Sequence, residues 1–408
     1  MRIPGTGSGA SQDAPVRLSP NIVVLGVVSL LMGMSSAMIY GLLPVFLVTV
    51  LGASMTSVGV IEGLAEATNS LTKIFSGVTS DWIGRRKPLV LLGYGLSAVN
   101  KLLFPLAGAV SIVLLARVVD RIGKGIRDAP RDALLTDVTP SKIRGAGFGL
   151  RLALYTIGAV AGPLIAIGLM SLSGDDFRLV FWIAAIPGFA SVAVLYFGVK
   201  EPAWRQVPHE RHFPIRRTDL TRLALPFWWA VSVAAILSLA RFSPAFIVLK
   251  THDIGIDSAY VPIMLVLMYL VYSAAAYPFG VLADRFDRRL QLGIGSVLLV
   301  AADLVLAGAD NLWLTALGAA LWGLQMGVTQ GLLSAAVADA APERLRGTAF
   351  GIYELAIGIA TFFASAGAGV LWTVGGPALT FSIGAAVAAA TVLLLALRPM
   401  PVAARTSP

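Results

Sequence analysis

The chain contains no cysteine, which excludes disulfides, thiol nucleophiles and zinc–thiolate sites. Histidine is scarce: His209, His212 and His252 all lie in polar stretches. No HExxH or HxH pair falls inside an apolar segment, so an intramembrane metalloprotease lacks its usual ligands. Neither a metal nor an organic cofactor is expected. Charge is scarce too. Asp, Glu, Lys and Arg make up 13% of the 408 residues, against roughly a quarter in a soluble domain. So little polar surface cannot clothe a water-soluble protein of this length. It disfavours a secreted scaffold, a disordered chain and a cytosolic enzyme.

Apolar sequence is what the chain has in abundance, with 57% hydrophobic residues. A spanning helix needs about 20 mostly apolar residues, and blocks of that length alternate with short polar breaks. Spans are predicted at 21–50, 57–80, 88–107, 110–130, 145–171 and 179–198, then at 221–250, 258–282, 288–308, 311–339, 346–373 and 376–397. Each block exceeds strand length, so helices are expected rather than a barrel. Residues 1–20 are small, polar and proline-punctuated, and read as a disordered cytoplasmic tail with no cleaved signal. The run Gly5-Thr6-Gly7-Ser8-Gly9 has no strand before it and no helix close behind, so it reads as a flexible linker. Residues 199–220 form a basic cytoplasmic linker and 398–408 a cytoplasmic tail.

The net charge of +9 would ordinarily raise nucleic acid as a partner, but its placement says otherwise. With both termini in the cytoplasm, 22 of the 31 Lys and Arg fall in cytoplasmic loops and tails, and only Arg178 and Lys250 fall outside. That is the bias of the positive-inside rule. No nucleic-acid partner is expected; the partners are a lipid bilayer, protons and a small-molecule substrate, and the protein is expected to be a monomer. The two halves also repeat. GVTSDWIGRRKPLVLLGYG at residue 77 matches GVLADRFDRRLQLGIG at residue 280, and TDVTPSKIRGAGFG at 136–149 matches ADAAPERLRGTAFG at 338–351. The offsets are 203 and 202 residues. Two six-helix bundles, 21–198 and 221–397, follow, and in transporters such repeats put the substrate site at their interface near the midplane.

Ionisable residues inside a membrane are costly and mark function by default. The second span carries Glu62, Glu66, Asn69 and Lys73 at spacings of 4, 3 and 4, which form one stripe. The fourth carries Arg117, Asp120, Arg121, Lys124 and Arg127. Arg117, Arg121 and Lys124 share a face, and Asp120 is placed to neutralise Arg117 or Lys124, while Lys124 and Arg127 are equally compatible with snorkelling to the surface. The third span offers Asn100 and Lys101, with a static pair between Lys101 and Glu62 or Glu66 as the alternative to a titrating glutamate. The second half is sparser, with Arg241, Asp303, Gln325, Gln330 and Glu354. Arg151 and Glu354 occupy matched depths of repeated helices and are expected to pair across the halves. Methionines 32, 34, 38, 264 and 268 read as flexible packing rather than soft-metal ligands. Between the second and third spans lie Gly77, Asp81, Gly84, Arg85 and Arg86. Gly77 permits close helix approach, Gly84 a tight turn, and Asp81 accepts hydrogen bonds from an arginine or a helix N-terminus. Asp284 and Arg288 occupy the repeat copy, where Asp287 replaces the turn glycine. Lys87 reads as a solvated charge.

The pattern GxxxDxxGRR at Gly77–Arg86 resembles the loop signature of the major facilitator superfamily, and the resemblance extends over the chain from residue 21. It implies an all-α membrane fold of twelve helices in two pseudo-symmetric bundles, with this loop and its repeat as a cytoplasmic gate that locks the outward-open state. Arg117-Val-Val-Asp120-Arg121-Ile-Gly123 resembles the family's RxxQGxG pattern, linked there to proton movement, with Asp120 and Arg121 departing from it. Gly149, Gly158, Gly162 and Pro163 resemble the antiporter signature G-x8-G-x3-GP-x2-GG, with Ala166 and Ile167 in place of its last glycines. An ordinary kinked packing helix is the alternative. The resemblance therefore points to the drug–proton antiporter branch, and the expected function is proton-coupled export of small organic molecules by alternating access. The alternatives are a proton-coupled carrier of an organic anion or metal chelate, and a membrane sensor that does not transport. The expected location is a cytoplasmic (inner) membrane. An enzyme is not expected, since no nucleophile–base set is found.

Overall fold

The computed structural model describes residues 19–83, 85–139, 144–200, 223–283, 288–341 and 345–397. The described residues form helices throughout and no strand. They are α1 (Pro20–Thr49), α2 (Met55–Ile83), α3 (Arg86–Asn100), α4 (Leu103–Leu106), α5 (Val110–Val138), α6 (Arg144–Ser173) and α7 (Phe177–Gly198). The second half continues with α8 (Leu225–Ala240), α9 (Ala245–Asp253), α10 (Ile263–Ala283), α11 (Arg288–Gly308), α12 (Leu312–Ala340) and α13 (Arg346–Leu397).

Among the described residues, nine helices are long and apolar enough to cross a membrane. Three departures from the simple hydropathy rule separate that number from twelve. α2 and α5 fall outside the nine because they hold the acids and cations of the sequence. α13, at 52 residues, would run about 78 Å at 1.5 Å per residue, well over twice the hydrocarbon thickness of about 30 Å. It turns back at Gly376, whose φ of 73° is available to glycine at little cost, and Pro377 then starts the last span. α3 with α4, and α8 with α9, each make one crossing. The result is twelve spans.

Side chains such as Phe197, Leu225 and Trp313 are exposed, as expected where lipid rather than water is the solvent. Polar caps set the helix ends: Asp176 accepts from the backbone N–H of Arg178 and Leu179 at the start of α7, and Asn311 accepts from Leu314 at the start of α12, both satisfying otherwise orphaned donors.

The repeat seen in sequence is also a repeat of packing. In the first half α1 packs on α6 and α7, α2 and α3 on α5, and α3 on α7. In the second, α8 packs on α13, α10 and α11 on α12, and α11 on α13. The halves meet chiefly where α2 lies along α13, with smaller contacts of α6 with α10 and of α1 with α9. The α2–α13 seam is built on small residues. A Cβ on Gly63 would stand 2.8 Å from the Phe362 carbonyl oxygen, and one on Gly369 2.5 Å from that of Met55, so glycine there lets two backbones approach as small residues do in membranes. Thr56 and Thr373 close its end with hydroxyls 3.0 Å apart.

Candidate functional site

α2 and α5 are held in register by close backbone approach. A Cβ on Gly125 would lie 3.0 Å from the Asn69 carbonyl oxygen, and the Ser76 hydroxyl donates to the Gly125 carbonyl at 2.6 Å. Because Glu62 and Glu66 share the four-residue spacing of Arg117 and Arg121, this register makes two rungs. Arg117 Nη2 donates to Glu62 Oε2 at 2.5 Å, and Arg121 Nη2 lies 2.9 Å from Glu66 Oε1. Arg117 and Glu62 are almost fully buried. Tyr40 of α1 stands beside the ladder. Its hydroxyl donates to Asp120 Oδ2, and its ring lies 4.2 Å from the Arg117 guanidinium carbon and 5.0 Å from that of Arg121, within cation–π range.

The two halves of the molecule share this cluster. Between α8 and α9 the seventh span is interrupted around Arg241–Pro244, and Ser243 donates from its hydroxyl to Glu62 Oε2 at 3.1 Å. The Ser243 N–H donates to the Ser365 hydroxyl of α13 at 3.1 Å. Glu62 is thus held by Arg117 from its own half and by Ser243 from the other. Further along α2, Lys73 pairs with Glu354 of α13.

Several expectations are corrected. Glu354 pairs with Lys73, and Arg151 lies 3.8 Å from Asp132; the two do not meet, because α13 lies along α2 whereas α6 packs on α1 and α10. Lys101 pairs with neither glutamate, since Arg117 and Arg121 occupy both; it donates to the Ser36 hydroxyl at 3.0 Å. Asp120 binds Tyr40, and Lys124 pairs instead with Asp128 at 2.8 Å. Arg127 is not a snorkelling residue: it is buried, donates to Ser97 at 2.6 Å and lies 4.6 Å from the Tyr94 ring. Lys87 is not merely solvated, for its ammonium donates to the carbonyls of Tyr196 and Val199 at the end of α7, the favoured place for a cation.

The loop residues divide. Gly77 faces Ala129 at ordinary contact distance, so no close approach depends on it. Arg86 pairs with Asp137 at 2.6 Å, and Arg85 is exposed at the start of α3. Gly84 and Asp284, with the side chains of Asp81, Arg288 and Gln330, lie outside the described residues. On α6, a Cβ at Gly162 would come within 2.5 Å of the Met34 carbonyl oxygen, and Gly158 meets Leu30 likewise, whereas Gly149 has open space around it. Gly158 and Gly162 are therefore where α6 presses on α1, just before Pro163.

In the second half Gln325 is buried and donates to Thr329 one turn on, at 3.0 Å. Asp303 lies away from the ladder in the core of its own bundle, where it accepts from the Trp322 indole at 2.8 Å. The sequence reading missed Tyr40, Ser36, Ser243, Ser365 and Asp128. Arg241, Ser243 and Pro244 in mid-span signal a broken helix and were the clue that could have found Ser243; nothing in the sequence distinguishes Tyr40 from other aromatic residues of an apolar helix.

Paired charges enclosed where two repeated bundles of membrane spans meet define a class: a multi-pass membrane transporter, not an enzyme. The family model for the Major Facilitator Superfamily matches residues 25–249 and again 228–408, one match for each half. The chain belongs to that superfamily. It is 32% identical over 384 residues to an uncharacterized MFS-type transporter of Methanocaldococcus jannaschii, covering 93% of this chain and 94% of that one. It is 25% identical over 344 residues to the inner membrane transport protein YajR of Escherichia coli, covering 81% and 72%. Among solved structures, that of a point mutant of the nucleoside transporter NupG superposes with a TM-score of 0.77 over 92% of this chain and 99% of that one, at 14% identity, which marks a shared fold.

Proposed function

We propose that this secondary transporter couples the export of small organic molecules to proton entry. The observation that carries the reading is the position of Glu62, gripped by Arg117 of one half and by Ser243 of the other. A carboxylate in that position holds the halves together most strongly while ionised. Its protonation removes the charge from the Arg117 bond and weakens the Ser243 bond, so proton uptake and the separation of the halves become one event. Glu66 with Arg121 and Asp120 with Tyr40 place two further carboxylates beside it within the first half, and Arg117 is the coupling residue. Residues 21–198 rock against 221–397, and the loop around Asp81 serves as the cytoplasmic gate.

The orientation that fits the charge bias puts both termini in the cytoplasm of an inner membrane, in keeping with the inner-membrane location of the E. coli relative. In that orientation the Thr56–Thr373 contact and the contact of Gly41 with Pro262 close the outer side. The close-packed Gly158, Gly162 and Pro163 on α6 agree with the exporter reading. A monomer contains all the residues invoked. Proteoliposomes carrying Glu62→Gln, Glu66→Gln or Asp120→Asn are expected to lose pH-driven transport while keeping exchange; undiminished pH-driven transport in all three variants would overturn proton coupling. A protein that binds a solute but moves none across the vesicle would instead be a sensor.

A further inference from the structure

Every described cation of α2, α5 and α6 lies within 4.0 Å of a carboxylate. Away from the span ends, Lys101 and Arg241 are the exceptions among the described residues. Lys101 is wholly enclosed and bonded to Ser36. Arg241 is half-buried at the C-terminal end of α8, with a buried Nη1 that has no hydrogen-bond partner. The titratable groups that act on it are two phenols, Tyr272 of α10 and Tyr353 of α13, and no acid. Its place is fixed by its neighbours. Phe242 is locked among Phe246, Trp322 and Phe381 with ring centroids 5.4 to 5.8 Å away, and Ser243 is tied to Glu62 and Ser365.

The phenols continue toward the other half. Tyr269 and Tyr272 stand on α10, which packs across the interface against α6, the helix that carries Tyr155. A guanidinium held in a membrane protein without an acid is costly, and an incoming carboxylate supplies both the missing charge and a planar, two-oxygen acceptor that matches it. Phenols offer flat apolar faces and hydroxyl donors to whatever that carboxylate is attached to. One unmatched cation suits one negative charge.

We propose that Arg241 anchors the carboxylate of a small aromatic monoanion, with its ring among Tyr155, Tyr269, Tyr272 and Tyr353. The proposal rests on the transporter reading and names the substrate class of that interface. It assigns cargo recognition to the second half, while the first half holds the titrating groups.

The test uses the full-length protein in detergent, with benzoate and 2-naphthoate as probes and benzamide and 2-naphthamide as their uncharged counterparts, read by thermal shift and calorimetry. The two acids are expected to bind saturably and raise the unfolding temperature, and the amides to bind at least tenfold more weakly. Arg241→Gln is expected to lose at least tenfold in affinity for the acids and Arg241→Lys to lose less. Equal binding of acids and amides, no binding of either acid, or unchanged affinity in Arg241→Gln overturns the proposal. Should Arg241→Gln fail to fold, Arg241→Lys and the acid–amide difference in the unmodified protein still decide it. The two readings fail separately. Acid binding without pH-driven flux would remove proton coupling and leave this site standing; pH-driven flux of other solutes without acid–amide discrimination would remove this site alone.

Discussion

In the first half, α5 carries Arg117, Arg121, Lys124, Arg127 and Arg131 and finds acids for them on α2 and on its own neighbouring turns. Its counterpart in the second half, α12, carries no cation and buries Trp322 and Gln325. The two helices hold the same place in the packing plan, yet the first buries charge against charge, and deep in the second bundle the Asp303 carboxylate is buried against an indole. Duplicated architecture thus does not impose duplicated chemistry. Packing is dictated by small residues and apolar faces, which both halves have, whereas a ladder of buried ion pairs needs particular residues at particular depths, which α2 and α5 supply in the first half.

Variants of each half probe that difference. Arg117→Leu strands Glu62 as a buried charge and is expected to cost about 3–5 kcal/mol of stability and to abolish transport; Glu62→Gln combined with Arg117→Gln should recover much of the melting temperature but not the transport. Thermal unfolding in detergent decides this, and an unchanged melting temperature in Arg117→Leu would remove the case for a charge-built first half. Next in size is the seam between the halves. Because the chain has no native cysteine, Thr56→Cys with Thr373→Cys introduces a single pair at hydroxyls now 3.0 Å apart. Oxidation is expected to arrest flux and a reductant to restore it. Flux that persists through oxidation would show that the halves need not part there.

Asp303→Asn should do little. The amide oxygen still accepts from Trp322, so stability is expected to change by about 1 kcal/mol or less, with the pH profile of transport unmoved. A shifted profile would mean that the second half also handles protons. Smallest of all is Lys73→Gln. That pair crosses the halves but is 40% and 23% exposed on its two side chains, where an ion pair contributes about 0–1 kcal/mol. A large loss of stability would make it part of the buried ladder instead.

Much of the architecture was legible in the order of residues alone. The alternation of apolar blocks and the offset repeat point to twelve spans in two bundles, and the stripe Glu62, Glu66, Asn69 and Lys73 is visible as a 4, 3, 4 spacing. The partners were not. Nothing local tells Glu62 that Arg117 lies 2.5 Å away rather than Lys101, since that depends on how far α2 slides along α5. The register is set by Gly125 against Asn69, an event between two helices. Likewise the expected Arg151–Glu354 pair followed from equal depth in repeated helices. Depth is a one-helix property and says nothing of which neighbour intervenes.

By itself the sequence determined that this is a membrane protein of two repeated halves, because the bilayer is a solvent whose thickness and polarity each segment must satisfy alone. It also determined that charge is kept in a few spans. Tertiary structure decided which charges cancel, that Ser243 of one half holds Glu62 of the other, and that Arg241 keeps a buried guanidinium nitrogen without a partner. Those outcomes depend on distances of a few ångströms between segments far apart in the chain, and ion pairs and hydrogen bonds form or fail over just such distances.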